Sequence, residues 1–509
     1  MNLIASTYTF GFFTLISRIL GYVRDVLIAI FLGTSFYADA FFVAFRLPNT
    51  FRRLFAEGTF NAAFIPSYAG TLAESKKEAD DFAKSIFNLL FIILLFIVLL
   101  AEIFMPQLVF LIAPGFDQNP EKIKLVVDLT RITFPFLFFI SLASFLGAIL
   151  NSYNKFAVAA AAPIILNIIL IGALFFSKWY NISNVLTLSY AVSLAGFIQL
   201  IILLFSVRKF YKPSLSIKIK INEKVKFFFK KLLPSIFSSG ITQINILIGT
   251  IIASFQAGAV SYLYYADRVY QINLAISGIA VGTVMLPELS KYIKTNSFAQ
   301  ITDLQNRSIE LCLFLSLPAA VALILAPQEI ITSLFGYGSF DQDSITNTAL
   351  ALSFFAFGVP AFALLKILSN FFFARNNTKT PFYLSFISMV LNISISVTLF
   401  EDFGFIIIPI ATSISSWINV LLHYYFIKKN DLYNFDSKFT NKFPRIILSV
   451  VVMGIILYLL LGFFENKFEY NESWKSIYLF IIVIISLISY LIISNFSGAF
   501  KFKDIKLKK

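Results

Sequence analysis

Between Ser17 and Tyr68 the sequence sets five arginines and three carboxylates inside two hydrophobic spans. The arginines are Arg18, Arg24, Arg46, Arg52 and Arg53, and the acids are Asp25, Asp39 and Glu57. A charge at the centre of a bilayer-spanning helix costs about 2.5–3.5 kcal/mol on the insertion scale. Such residues therefore face a protein interior or a wet cavity and are functional candidates. At about 100° per residue, Ser17, Gly21 and Arg24 share one face of the first helix. Arg18 and Asp25 lie about 100° round from them. In the second helix Asp39, Arg46, Arg53 and Glu57 form a stripe, with Asn49 and Arg52 beside it. Pro48 is expected to kink that helix.

Two further charged positions lie in later spans. Asp267 and Arg268 are adjacent, with Tyr264 and Gln271 on the face of Arg268, and Lys366 sits inside another hydrophobic run. Bases outnumber the acids Asp25, Asp39, Glu57 and Asp267. A guanidinium surplus in a low-dielectric cavity suits a phosphate or diphosphate, which arginine binds through paired hydrogen bonds. A cation carrier would instead show surplus carboxylate. No catalytic constellation accompanies these charges: there is no HExxH helix, no P-loop and no large soluble region to hold ATP. The single cysteine, Cys312, excludes an intrachain disulfide and a cysteine-based metal site. The single histidine, His423, stands beside Tyr424 and Tyr425 and is expected at the membrane interface. The leading reaction class is movement of an anion or anionic lipid.

The elements that must position these groups are membrane helices. Of 509 residues 58% are hydrophobic and only 13% charged, the mean hydropathy is +0.83, and apolar runs of about 20 residues recur throughout. Fourteen spans are expected, at 8–32, 36–65, 85–112, 125–150, 157–177, 184–207, 228–255, 261–289, 307–333, 346–374, 382–400, 405–427, 444–464 and 475–496. The first contains Arg18, Arg24 and Asp25 and lacks a basic leader, so it reads as a span and not a cleavable signal. Basic residues concentrate in the even-numbered connections; Arg208 to Lys231 holds nine against one acid. The positive-inside rule then puts both termini in the cytoplasm. The net charge of +14 is thus an orientation signal rather than a nucleic-acid surface.

That nine-charge loop separates two similar halves. Tyr37-Ala38-Asp39 recurs as Tyr265-Ala266-Asp267, and Leu166-Asn167-Ile168 as Leu391-Asn392-Ile393. Phe64-Ile65-Pro66 matches Met285-Leu286-Pro287. Six spans per copy give parallel repeats, with a substrate site expected between them. The expected organisation is an N-terminal lobe 1–209, a basic cytoplasmic linker 210–227, a C-terminal lobe 228–430, and two extra helices with a basic tail at 431–509. The two lobes would enclose a central cationic cavity.

The runs SRILGYVRD and ADAFFVAFRLPNTFRRLFAEGTFNAAFIPSY, with the later YYADRVYQ, resemble the MurJ (MviN) family of lipid II flippases, part of the multidrug/oligosaccharidyl-lipid/polysaccharide exporter superfamily. The resemblance extends over the whole chain and is weakest in the last two helices. It implies movement of the undecaprenyl-diphosphate-linked peptidoglycan precursor from the inner to the outer leaflet of the bacterial cytoplasmic membrane. It implies substrate binding by Arg18, Arg24, Arg52, Arg53 and Arg268. Asp25, Asp39, Asn49, Glu57 and Lys366 are expected to gate the cavity or balance its charge. The last helix pair would offer a groove for the polyprenyl tail. Some members bind sodium through acids in the seventh and eleventh helices. Here those helices offer Ser238, Ser239, Asn245 and Asn392 instead, so no sodium site and no cofactor are expected. The membrane potential is expected to drive return of the empty cationic carrier. Two other readings stay open: an exporter of another polyprenyl-linked saccharide or anionic lipid, and a membrane-embedded enzyme acting on lipid diphosphates. Lipid competition separates the first; a chemically altered lipid would reveal the second.

Overall fold

A computed structural model describes residues 3–55, 59–216, 223–433 and 436–500. Among them every regular element is a helix. Eleven helical stretches are long and apolar enough to cross a membrane, by length and composition. The protein is an all-α polytopic membrane protein. Three of the fourteen expected spans, 8–32, 36–65 and 228–255, fall on helices outside those eleven. For the third, Gln243–Ala253 is the apolar stretch among the residues whose side chains are described.

By density of contacts the chain divides into two units, Met1–Ser261 and Tyr262–Lys509. The first contains α1 (Leu3–Leu32), α2 (Phe36–Phe55), α3 (Thr59–Glu74), α4 (Lys76–Ile103), α5 (Met105–Ile112), α6 (Pro120–Thr133), α7 (Pro135–Ser152), α8 (Phe156–Tyr180), α9 (Asn184–Val207) and α10 (Glu223–Ala253). The expected second span, 36–65, covers α2 and the start of α3, with residues 56–58 outside the described ones. Helix α2 continues through Pro48. An aromatic cluster ties α10 into this unit. Phe228 meets Phe60 at 5.6 Å and Phe64 at 6.1 Å between ring centroids, and Phe64 stacks on Phe82 of α4 at 5.8 Å. Offset and edge contacts of this kind add to the apolar burial of each ring.

The second unit begins in the first turn of α11 (Ala259–Leu274). A π-helical turn, Ala275–Ala280, leads directly into α12 (Val281–Lys294). The remaining helices are α13 (Phe298–Leu325), α14 (Pro327–Phe335), α15 (Gln342–Phe373), α16 (Lys379–Thr398), α17 (Phe400–Phe403), α18 (Ile407–Lys429), α19 (Ser437–Phe463) and α20 (Lys475–Ser497). Its core is built on Cys312, Leu313, Ile367 and Phe371. His423 packs in this core and is fully buried. Its Nδ1 is 3.0 Å from the Asn419 carbonyl and its Nε2 is 3.3 Å from Ser369 Oγ. Gly278 lies in the π turn because a Cβ there would come within 2.9 Å of Ala363 Cα.

The last two helices are fastened to the rest of this unit at both ends. At one end Tyr490 donates to the Phe314 carbonyl at 2.8 Å, and Lys442 pairs with Glu310 at 2.6 Å. At the other, buried Lys475 donates to the carbonyls of Gly336 and Tyr470 at 2.7 and 2.6 Å. Its ammonium also lies 4.2 Å from the ring centre of Tyr337 and 5.0 Å from that of Tyr470. A lysine this deep is tolerated because carbonyl oxygens and ring faces replace its hydration.

Candidate functional site

In the first unit the face of α1 that carries Ser17, Gly21 and Arg24 packs on α8 at one polar residue, Asn167. Arg24 is 8% exposed. Its Nε and Nη2 donate to Asp25 Oδ1 at 3.0 and 2.6 Å, and its Nη1 donates to Asn167 Oδ1 at 2.9 Å. Asn167 Nδ2 donates in turn to the Ser17 carbonyl at 2.9 Å. A Cβ at Gly21 would stand in ordinary van der Waals contact with the Asn167 amide, 3.5 Å away. The guanidinium is therefore held by two oxygen acceptors of different helices. Oxygens of a phosphate present the same chemistry to it. Arg18, on the same helix, is exposed.

The start of α2 carries a second buried charge. Asp39 is 0% exposed. Its Oδ2 accepts from Lys122 Nζ at 2.9 Å and from the Gly258 N–H at 2.9 Å. Its Oδ1 accepts from the Ser261 N–H at 3.1 Å and from Ser261 Oγ at 2.7 Å. Lys122 is itself buried and lies 4.0 Å from the ring centre of Phe116. Nearby, the Gly115 N–H donates to Ser254 Oγ at 3.0 Å. A buried carboxylate with four donors is well compensated, and it joins α2, α6 and the connection from α10 to α11.

Farther along α2, Arg46 donates to Thr250 of α10, and Arg52 Nε donates to Asn49 Oδ1 at 3.0 Å. Arg53 is half-buried. Glu57 lies outside the described residues, as do the side chains of Ser238 and Ser239.

The second unit holds Arg268, whose guanidinium stacks over Tyr264 at 4.6 Å. Asp267 accepts from Gln271 one turn on. Lys366 is exposed two turns before the end of α15 and makes no ion pair among the described residues. Asn167 and Lys122 are the partners of Arg24 and Asp39 that charge counting passed over. The signal for Asn167 was a lone amide in an apolar span. For Lys122 it was a base in an otherwise base-poor connection.

The family model described as "Lipid II flippase MurJ" matches residues 28–492. The chain belongs to the MurJ family. A MurJ relative described as a probable lipid II flippase, from Rhizobium meliloti, is 40% identical over 470 residues, 90% of this chain and 86% of its own. One from Rickettsia prowazekii is 38% identical over 482 residues, 94% of each chain. A solved MurJ structure, titled an inward closed conformation, superposes with a TM-score of 0.82 at 29% identity and covers 96% of this chain and 98% of that one. A multidrug transporter of the MATE family superposes at 0.70 with 15% identity over 81% of this chain and 94% of its own; that likeness shows a common fold alone.

Proposed function

We infer that the protein flips lipid II, the undecaprenyl-diphosphate-linked peptidoglycan precursor, across the bacterial inner membrane for cell-wall synthesis. It is a transporter and not a catalytic enzyme. The observation that carries the reading is Arg24, a buried guanidinium held between Asp25 and Asn167, in a chain matched by the MurJ family over residues 28–492.

In this reading Arg18, Arg24, Arg52, Arg53 and Arg268 contact the diphosphate, which replaces Asp25 as the partner of Arg24. Asp25, Asp39, Asn49, Glu57 and Lys366 gate the cavity or balance its charge. Support for Asp39 as a gate is its set of bonds to the start of α11 and to Lys122. The finer architecture is part of the same proposal: fourteen spans, parallel six-helix lobes at 1–209 and 228–430 joined by the linker 210–227, a central cationic cavity, and extra helices within 431–509. The sequence repeat and the charge alternation of the loops support it, and both termini are then cytoplasmic. Transport is by alternating access, because substrate shifts the equilibrium only through contacts that differ between states. An empty cationic carrier is drawn back by an inside-negative potential, each charge being worth about 2.3 kcal/mol per 100 mV. No sodium site and no cofactor enter this cycle.

The test is lipid binding by native mass spectrometry, with lipid II, an undecaprenyl-linked oligosaccharide and a plain anionic phospholipid. Wild type should prefer lipid II, and Arg24→Ala and Arg268→Ala should lose that preference. Unchanged binding by both variants would remove these arginines from the substrate site. Preference for another lipid would overturn the substrate.

A further inference from the structure

The segment after α9 folds back onto the start of α4. The Ser216 N–H donates to Asn88 Oδ1 at 2.9 Å, while Asn88 Nδ2 is held by the Lys84 carbonyl at 2.9 Å. Asn88 is buried. Phe210 packs on Tyr153 at 4.8 Å, and the buried ring of Tyr211 meets Phe145 edge-on at 6.3 Å. These anchors close a pocket. Lys76 and Lys84 of α4 line one side, and Arg208, Lys209 and Lys212 the other, with Asp80 and Asp81. Five bases against two acids leave a surplus of three positive charges. None of the five makes an ion pair among the described residues. Beneath them the Tyr211 hydroxyl and Oδ1 of Asp80 are buried with no hydrogen-bond partner among the described residues.

Lysines in a connection are ordinarily a solvated orientation signal. That role needs neither a backbone strap on a buried asparagine nor rings that fix where the bases stand. Lys224, farther along the same connection, shows the ordinary case: it is spent on Glu74 and Glu78 at 3.1 and 2.8 Å.

We propose that this pocket of the first unit binds a phosphate-bearing anion, supplied either as the headgroup of an anionic phospholipid or as a soluble phosphate. Arg208 gives a planar fork for phosphate oxygens, and the lysines give mobile point charges. The Tyr211 hydroxyl, protonated at neutral pH as any tyrosine is, is a donor within the pocket lining. The lipid source gains support from α9. Phe205 is exposed one turn before Arg208, whose guanidinium lies 4.3 Å from its ring centre, and Ile202 is exposed one turn further. A headgroup at Arg208 would place its acyl chains along these side chains. The proposal does not depend on the flipping reading, since its readout is binding at another place.

The experiment uses the purified full chain and native mass spectrometry, with phosphatidylglycerol and inorganic pyrophosphate as separate probes. Three variants are compared: Lys84→Gln with Arg208→Gln, Asn88→Ala, and Lys224→Gln as control. Wild type should retain one phosphatidylglycerol. The double variant should weaken it about tenfold or more, and Asn88→Ala should weaken it with no change of charge. Lys224→Gln should leave it unaltered. The same residue dependence for pyrophosphate and not for the lipid would assign the soluble source. Equal binding of both probes to wild type and the double variant would overturn the proposal. So would a folded Asn88→Ala variant with wild-type binding, since charge alone would then explain the effect. Should Asn88→Ala fail to fold, the double variant at the pocket rim decides.

Discussion

The buried Asp39–Lys122 pair offers the sharpest test of the electrostatic reasoning. Lys122→Met keeps most of the apolar stem and removes the ammonium. Asp39 then remains a fully buried carboxylate with three neutral donors, the Gly258 N–H, the Ser261 N–H and the Ser261 hydroxyl. Removing one partner of a buried pair costs about 3–5 kcal/mol. Asp39→Ala should cost more, because it also strands the backbone donors of Gly258 and Ser261, at about 1–3 kcal/mol for each unsatisfied group. Placed in an Asp39→Asn background, Lys122→Met should be much cheaper, since the carboxylate is gone. The double-mutant cycle then gives the coupling. Reversible SDS titration of the purified protein measures each free energy, with the thermal midpoint as a second probe. A loss under about 1 kcal/mol for Lys122→Met is the value of a solvated surface pair. It would refute the claim that this pair is sealed from water.

Asn167→Ala should weaken lipid II binding about tenfold, as expected for loss of one hydrogen bond to a charged group, while Asn167→Asp, which keeps the acceptor, should bind better than the alanine; equal binding by all three would show that Arg24 needs no support from α8. Lys475→Met leaves the carbonyls of Gly336 and Tyr470 without their donor, and the thermal midpoint should fall by a margin that Lys467→Met, at an exposed position, does not reproduce. Transport into sealed vesicles, whose exterior then takes the place of the cytoplasm, should accelerate when the exterior is made negative, and indifference to the potential would remove the charge-return step.

Hydropathy made the membrane class legible, because no arrangement of so many apolar runs is soluble. The face of α1 was legible too: Ser17, Gly21 and Arg24 do meet a single neighbour. What the helical wheel could not supply was that neighbour. Asn167 served only as a marker of the repeat, since nothing local distinguishes an amide that supports an arginine from one that bonds its own helix. Lys122 read as a loop base because its burial depends on the distant Asp39. The burial of His423 was hidden by its tyrosine neighbours. They are adjacent in sequence, but successive helical residues point about 100° apart, so they say little about where the imidazole goes.

The π turn at Ala275–Ala280 has a consequence for every pattern read across α11 and α12. Each such turn takes in one residue more than an α turn, and one residue rotates everything downstream by about 100°. The side chains of Arg268 and of Glu288 or Lys291 therefore belong to two separate angular scales, although the chain runs as one rod from Ala259 to Lys294. Deleting a single residue from the turn would bring the scales into phase. It would swing the Lys291 end of the rod by more than a quarter turn and leave Arg268 where it stands.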